Sequence, residues 1–195
     1  MAVFLETQRL ILRRFTDADV EHLVGLHNDP AVMHFLNGGK PRPREDIERE
    51  HSSRFAGDGY WAAENTLAGE FLGWFGFHPT EGRDPQDFEL GFRLRRSAWG
   101  QGYATEGSRA LIRKGFTELG LRRVWAQAMA VNTRSRRVME KAGLVYVRTF
   151  HPEFDDPIPG TEHGEVEYAL TTTDWDRGRG VTDRRTTPDS CPRRT

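Results

Sequence analysis

The sequence predicts an α+β fold built on a mixed, twisted sheet, and three observations carry that prediction. Apolar and polar residues alternate over several strand-length segments, and apolar residues recur three and four apart over several helix-length ones. The two kinds follow each other in the order βααα-βββ-αβ-αββ, not in strict βα alternation. At 195 residues, with 36% hydrophobic and 29% charged side chains, the chain suits one globular domain.

Glu6 to Phe15 reads as the first strand, with Leu10 and Leu12 alternating against Arg9, Ile11 and Arg13. Thr16 and Asp19 have capping-box spacing ahead of a helix through Val20, Leu23, Val24 and His27. Asp29 and Pro30 can start a short second helix, PAVMHFL, as N-cap and first residue. After the glycines and prolines of 38–43, Glu45 to Phe55 reads as a polar helix with Ile47 and Phe55 inward. Tyr60–Glu64 and Gly69–Phe77 form a predicted hairpin, with Trp61 and Trp74 read as its core residues. In Phe88–Leu94 the set Phe88, Leu90, Phe92, Leu94 alternates with Glu89, Gly91, Arg93, which predicts a half-buried strand. Ala104, Ser108, Leu111, Ile112, Phe116 and Leu119 mark a helix closed by Gly120. Arg122–Ala128 is the next strand, Asn132 caps a helix ended by Gly143, and Leu144–Phe150 and Val166–Leu170 are the last strands.

Composition excludes several function classes. The net charge of −1, from 28 basic and 29 acidic groups, is not that of a globally basic nucleic-acid binder. No apolar run approaches the ~20 residues of a membrane helix, and the opening residues lack a basic start and apolar region of a secretory signal. The only cysteine, Cys191, excludes a disulfide framework and a Cys-based zinc site. No two histidines stand four apart with an acid between them, so no metal is expected. The expected compartment is a reducing one, most simply the cytoplasm. Residues 176–195 hold six Arg, three Asp and almost no apolar side chain. They are expected to form a disordered Arg-rich tail behind a domain over 1–175, solvated or touching an anionic partner such as RNA.

Two constellations carry chemistry. Gly100-Gln101-Gly102 stands between a strand and a helix. A helix start offers unpaired N–H groups and a positive dipole end, and glycines let that backbone approach a phosphate. No Gly-Lys-Ser/Thr follows, so it is no P-loop, and the third glycine of a dinucleotide fingerprint is missing. A plain tight turn remains the alternative. In the second, NTRSRRVMEKAG, Asn132 caps a helix with Ser135 at its third position, and Arg134, Arg136, Arg137 and Lys141 fall within about two turns. Phosphate binding and a solvated face both account for those cations.

Together, WGQGYATEGSRALIRKGFTELGLRRV and NTRSRRVMEKAG resemble the acyl-CoA-binding core of the GNAT superfamily of N-acetyltransferases. The opening LETQRLILRRFTDADVEHL and the short DPAVMHFL resemble its branch of ribosomal-protein amino-terminal acetyltransferases. The resemblance runs from about Leu5 to Leu170. It implies a GNAT-type sheet of about six or seven strands, splayed between the fourth and fifth, with helices on both sides. It also implies acetyl-CoA as co-substrate, no metal, a primary amine (a protein N-terminus or a small amine) as acceptor, and allows a homodimer. The family's phosphate loop falls on Trp99, Gly100, Gln101, Gly102, Tyr103 and Ala104, with backbone N–H groups through Thr105. Trp99 stands where a polar residue is usual. Phe92, Arg93 and Leu94 would pair with the pantetheine amides and supply an oxyanion donor. Asn132 and Ser135 would touch the CoA arm, and Arg134, Arg136 and Arg137 the nucleotide phosphates. Where relatives often place a Tyr as general acid, this chain has Met139. Ser135, a water or another group would then serve, or the thiolate, with an ordinary thiol pKa of ~8.5, leaves unprotonated.

Glu89, on the cofactor strand, is the candidate general base, with a surface or ion-paired role as the alternative. His34 and His78 are candidates for bases, substrate contacts or structural roles. From Thr149 to Trp175 there are seven acids and no Lys or Arg, so that segment reads either as an acidic rim for a cationic amine or as a solvated loop. The competing function is a CoA-binding regulator without turnover.

Overall fold

The computed structural model describes residues 2–183. Eight strands form one sheet in the order β1-β2-β3-β4-β5-β6-β8-β7. They are β1 (Val3–Glu6), β2 (Leu10–Arg13), β3 (Tyr60–Asn65), β4 (Phe71–Pro79), β5 (Asp87–Leu94), β6 (Arg123–Met129), β7 (Val145–Phe150) and β8 (Glu165–Thr171). All pairings are antiparallel except β5 with β6. The α+β class and mixed sheet are as expected, but eight strands replace the expected six or seven. The segment 6–15 is the reason: Thr7 Oγ1 accepts from the Leu10 and Arg9 N–H groups and turns the chain, so β1 and β2 form a hairpin.

The helices are α1 (Val20–His27), α2 (Pro30–Asn37), α3 (Arg44–Glu50), α4 (Tyr103–Thr117), α5 (Thr133–Ala142) and α6 (Thr172–Asp183). Asp29 caps α2 by accepting from Ala31 and Val32 N–H groups, with Pro30 at N1. The expected helix 45–55 is α3 followed by a π-helical turn, His51–Phe55. The boundary between a domain over 1–175 and a tail over 176–195 falls inside α6, and 184–195, with Cys191, lie outside the described residues.

The sheet is covered on both faces. On one, α4 and α5 bury Leu111, Ile112, Phe116 and Met139 against Trp61, Phe75, Phe77, Leu90, Leu94, Val124 and Tyr168. On the other, α1 to α3 bury Leu23, Leu26, Ile47 and Phe55 against Phe71, Trp74 and Tyr60. The two hairpin tryptophans are therefore core residues of opposite faces. Each fully buried aliphatic side chain contributes about 1.5–3 kcal/mol. Two glycines let α4 lie close to β4: a Cβ on Gly107 would stand 2.4 Å from the Phe75 ring, and one on Gly115 would stand 2.8 Å from Phe77.

Candidate active site

Between β5 and α4 the chain makes the bend foreseen for phosphate. Gly100 and Gly102 have φ of 74° and 85°, a region L side chains rarely adopt. None of the backbone N–H groups of residues 100–105 has a protein acceptor among the described residues; the first internal bond of α4 runs from Glu106 N–H to the Gly102 carbonyl. Gly100, Gln101 and Gly102 are exposed, and a Cβ on Gly100 would meet nothing within 4 Å. Six free donors at a helix N-terminus fit a diphosphate. Gln101 turns its amide back onto the Ser97 carbonyl at 2.7 Å, so its backbone faces outward and its side chain does not.

Two residues hold the bend: Arg9, which sequence reasoning missed, and Trp99, which it placed in the phosphate loop. Arg9 donates from Nη1 to the Gln101 carbonyl at 2.9 Å and from Nε to Glu106 at 2.7 Å, and its guanidinium lies 4.7 Å from the Tyr103 ring centroid. Trp99, in place of the usual polar residue, donates from Nε1 to the Leu94 carbonyl at 2.8 Å and tethers the bend to the end of β5. Arg134 lies 5.2 Å over the Trp99 ring, which brings the start of α5 to the bend. Asn132 caps α5 by accepting from Ser135 N–H at 3.1 Å. The phosphate candidates thus separate. Arg134 is beside the bend, Arg137 is exposed, and Arg136 is occupied by the Tyr168 hydroxyl and the Ala130 carbonyl. Met139 is 1% exposed in the core.

β5 and β6 pair over only three positions, Asp87 with Arg123, Phe88 with Val124 and Glu89 with Trp125. Beyond Glu89 the strands part, leaving the edges of Leu90–Leu94 and Ala126–Met129 open to each other. This is the expected splay, one strand number later because of the extra hairpin. Phe92 and Leu94 pack toward α4 and α5, while Glu89, Gly91 and Arg93 alternate to the face covered by α1 to α3. Glu89 stands where the strands part, partly buried, and its carboxylate forms no hydrogen bond or ion pair among the described residues. His78 lies opposite it on β4, its Nδ1 3.1 Å from the Pro79 carbonyl and its ring 4.8 Å from that of Tyr60. His34 is exposed on α2 beside Phe35 and joins none of these groups.

The acidic segment is partly neutralised within the fold. Glu167, on β8, receives Arg83, Arg123 and Arg148, with shortest contacts of 3.1, 2.6 and 2.9 Å. Burial pushes its carboxyl up, but the three guanidiniums outweigh that and hold it at about 2. Asp156 pairs with Lys40 across the β7–β8 loop at 2.5 Å, and Ile158 from that loop packs by Gly38 at the end of α2. Glu165, raised by burial, keeps no ion-pair partner.

A sequence model described as the acetyltransferase (GNAT) domain matches residues 9–145. The chain belongs to the GNAT acetyltransferase family. A GNAT relative from Aspergillus fumigatus, FsC-acetyl coenzyme A-N(2)-transacetylase, is 37% identical over 183 residues, which cover 88% of this chain and 77% of the relative. YkkB of Bacillus subtilis is 35% identical over 79% of this chain and 91% of its own. Among solved structures, a GNAT-family acetyltransferase from Bacillus anthracis superposes with a TM-score of 0.73 at 26% identity, covering 87% of this chain and 98% of that one. Spermidine N-acetyltransferase from Vibrio cholerae, in complex with CoA and spermine, shares the fold with a TM-score of 0.72 at 16% identity, covering 87% and 99%. The chain is therefore an acetyltransferase. Among the described residues no helix is long and apolar enough to cross a membrane.

Proposed function

We propose that this GNAT protein transfers an acetyl group directly from acetyl-CoA to a primary amine, on a small molecule or at a protein N-terminus, while both are bound. One observation carries the reading: β5 and β6 separate beyond Glu89, and β5 then runs into a bend with six N–H groups unpartnered among the described residues. Acetyl-CoA supplies the thioester carbonyl. The bend holds the diphosphate, and the open edge of β5 at Phe92–Leu94 meets the pantetheine amides and the carbonyl oxygen as charge develops on it. Acetyl-CoA as donor and nitrogen as acceptor atom are supported by the name of the Aspergillus relative. The likeness of the opening segment to ribosomal-protein amino-terminal acetyltransferases keeps a protein N-terminus beside small amines.

The roles follow from placement. An ammonium, with a pKa of ~8 for an α-amine, must lose a proton before it attacks. Glu89 takes that proton, directly or through water, and passes it to solvent. The nitrogen bonds the acetyl carbon, the carbon–sulfur bond breaks, and the second nitrogen proton balances the leaving thiolate. The Ser135 hydroxyl at the start of α5 is the side-chain candidate for that last transfer, since Met139 carries no exchangeable proton. Direct transfer is favoured over an acyl-enzyme because the only cysteine stands near the C-terminus, outside the described residues.

Acetyl-CoA consumption against an amine panel tests the activity. Glu89→Gln is expected to lower kcat by about 10²–10⁴-fold with acetyl-CoA affinity unchanged. An unchanged rate removes Glu89 from the mechanism. Tight acetyl-CoA binding with no transfer to any amine instead establishes the competing CoA-binding regulator.

A further inference from the structure

The acceptor face of β5 carries an arrangement that the transfer reaction alone does not explain. Glu89, Gly91 and Arg93 share that face, and their partners across β4 are His78, Gly76 and Trp74. Two glycines therefore face each other between a carboxylate and a guanidinium, and the Tyr60 ring lies over the Gly76 side, where a Cβ would stand 3.0 Å from it. A Cβ on Gly91 would make only ordinary contact with the Trp74 ring, at 3.7 Å. The two charged residues stand four positions apart, roughly 13 Å along the strand.

Arg93 is the unusual member. Its guanidinium lies 5.1 Å from the Trp74 ring centroid and, among the described residues, makes no hydrogen bond or ion pair, although it offers five donors. Burial pulls its pKa down to about 10, opposed by Glu50, while Arg54 and Arg42 push the same way as burial. Glu50 cannot satisfy it, being held already by Arg42 at 2.6 Å and Arg54 at 3.1 Å. This corner of the face thus holds three guanidiniums against one carboxylate. Two further donors beside Arg93 are orphaned. Trp74 Nε1, in the ring beneath it, has no partner among the described residues. Neither has His27 Nε2, on a ring that is 0% exposed and feels the Arg93 charge. The His27 Nδ1 atom faces the Arg42 donor at 3.4 Å, which leaves the proton on Nε2. Buried donors without acceptors are rare in folded proteins, so an interior with a surplus of them fits a ligand that brings oxygen acceptors and negative charge.

We propose that the acceptor is a zwitterion, an amine that carries a carboxylate close to the reacting nitrogen, and that the Arg93 guanidinium binds that carboxylate while Glu89, on the same face of β5, faces the amine. This rests on the acetyl-transfer reading above and narrows its substrate class. It separates free amino-acid-like acceptors from peptide N-termini, whose nearest carboxyl is tied up in an amide, and from polyamines, which bring a second cation to an already cationic corner. Two acids of the β7–β8 region, Glu167 and Asp156, are already paired within the fold.

The test is steady-state kinetics on the full chain at fixed acetyl-CoA. The acceptors are free amino acids, their methyl esters, their amides, tripeptide amides and diamines of matched length. Free acids are expected to exceed esters and amides by about 10–100-fold in kcat/KM, mostly through KM, as a charge-assisted hydrogen bond gained or lost would give. Arg93→Met should bring the classes within a few-fold of each other, and Arg93→Lys should fall between. Calorimetric acetyl-CoA affinity reports whether each variant is folded, since only the Arg93 backbone is assigned to the cofactor. The comparison of acceptors on the unmodified enzyme decides the matter even if a variant fails to fold. Esters, amides or diamines that react as well as the free acids overturn the proposal and leave the transferase reading intact. No turnover with any amine overturns the transferase reading, and this proposal with it.

Discussion

Arg9 and Gln101, 92 positions apart, are joined by a 2.9 Å hydrogen bond from the guanidinium to the backbone carbonyl. The same side chain grips Glu106 in the first turn of α4. The β1–β2 turn therefore fixes the proposed phosphate bend from outside the element that forms it. Arg9→Ala removes both bonds. Acetyl-CoA Kd, measured by calorimetry, is expected to rise about tenfold or more, since bonds to a charged donor are worth about 1.5–3 kcal/mol. Arg9→Lys, which cannot serve two acceptors as a fork does, should recover only part of the loss.

Gly107 and Gly25 predict opposite responses to the same substitution. A methyl group on Gly107 meets three atoms of the Phe75 ring between 2.4 and 2.9 Å, and Phe75 is 0% exposed. Gly107→Ala should destabilise by about 1–3 kcal/mol through overpacking. Gly25, exposed in α1 with nothing within 4 Å, should gain about 0.5–1 kcal/mol as alanine from helix propensity. Urea unfolding of the two variants checks both signs.

His27 and Glu167 set the acid limb of stability. Burial pulls His27 down to about 3, with Arg93 adding to it, so the folded chain keeps it neutral. Below an ordinary pKa of 6.5 the unfolded chain takes up a proton that the folded chain refuses. Stability should therefore fall with decreasing pH from about 6.5 toward 3, by about 1.4 kcal/mol per unit from this group. Glu167, held at about 2 against an ordinary 4.5, contributes roughly 3 kcal/mol above pH 4.5 that is lost as pH falls through that interval. Unfolding midpoints between pH 7 and 3 check the slope, and His27→Gln should flatten its upper part, between about 6.5 and 4.5.

Met139→Tyr restores the residue that related acetyltransferases often carry at this point. The side chain here is 1% exposed in the core between α5 and the sheet. A larger ring with a hydroxyl should cost about 1–3 kcal/mol without raising kcat. A faster enzyme would mean that the hydroxyl reaches the departing sulfur.

Much of this architecture was legible because it rests on local rules. The alternation in β5, the Gly100–Gly102 bend and the Asn132 cap each follow from a few adjacent residues, and the structure has all three. Long-range pairings had no such signal. Arg136 read as one of four equivalent cations, yet the Tyr168 hydroxyl and the Ala130 carbonyl occupy it. Glu167 read as a free acid, because the arginines that surround it come from positions 83, 123 and 148, which only the fold brings together. The β1–β2 hairpin was hidden because one hydroxyl, that of Thr7, makes the turn without a glycine or proline. Arg93 read as backbone for the cofactor, and its lack of an anion became visible only with the neighbours in place.

The three-position contact of β5 with β6 also bears on how the folded chain endures. A ladder that halts after three rungs leaves its remaining backbone groups to be completed by a molecule the gene does not encode. Under the proposed binding of the donor along β5, part of the cohesion between the two halves of the sheet would come from the bound thioester, by mass action. Amide protons along Leu90–Leu94 and Ala126–Met129 should exchange fastest in starved preparations and slow when donor is plentiful, which makes the robustness of this domain a gauge of metabolic supply.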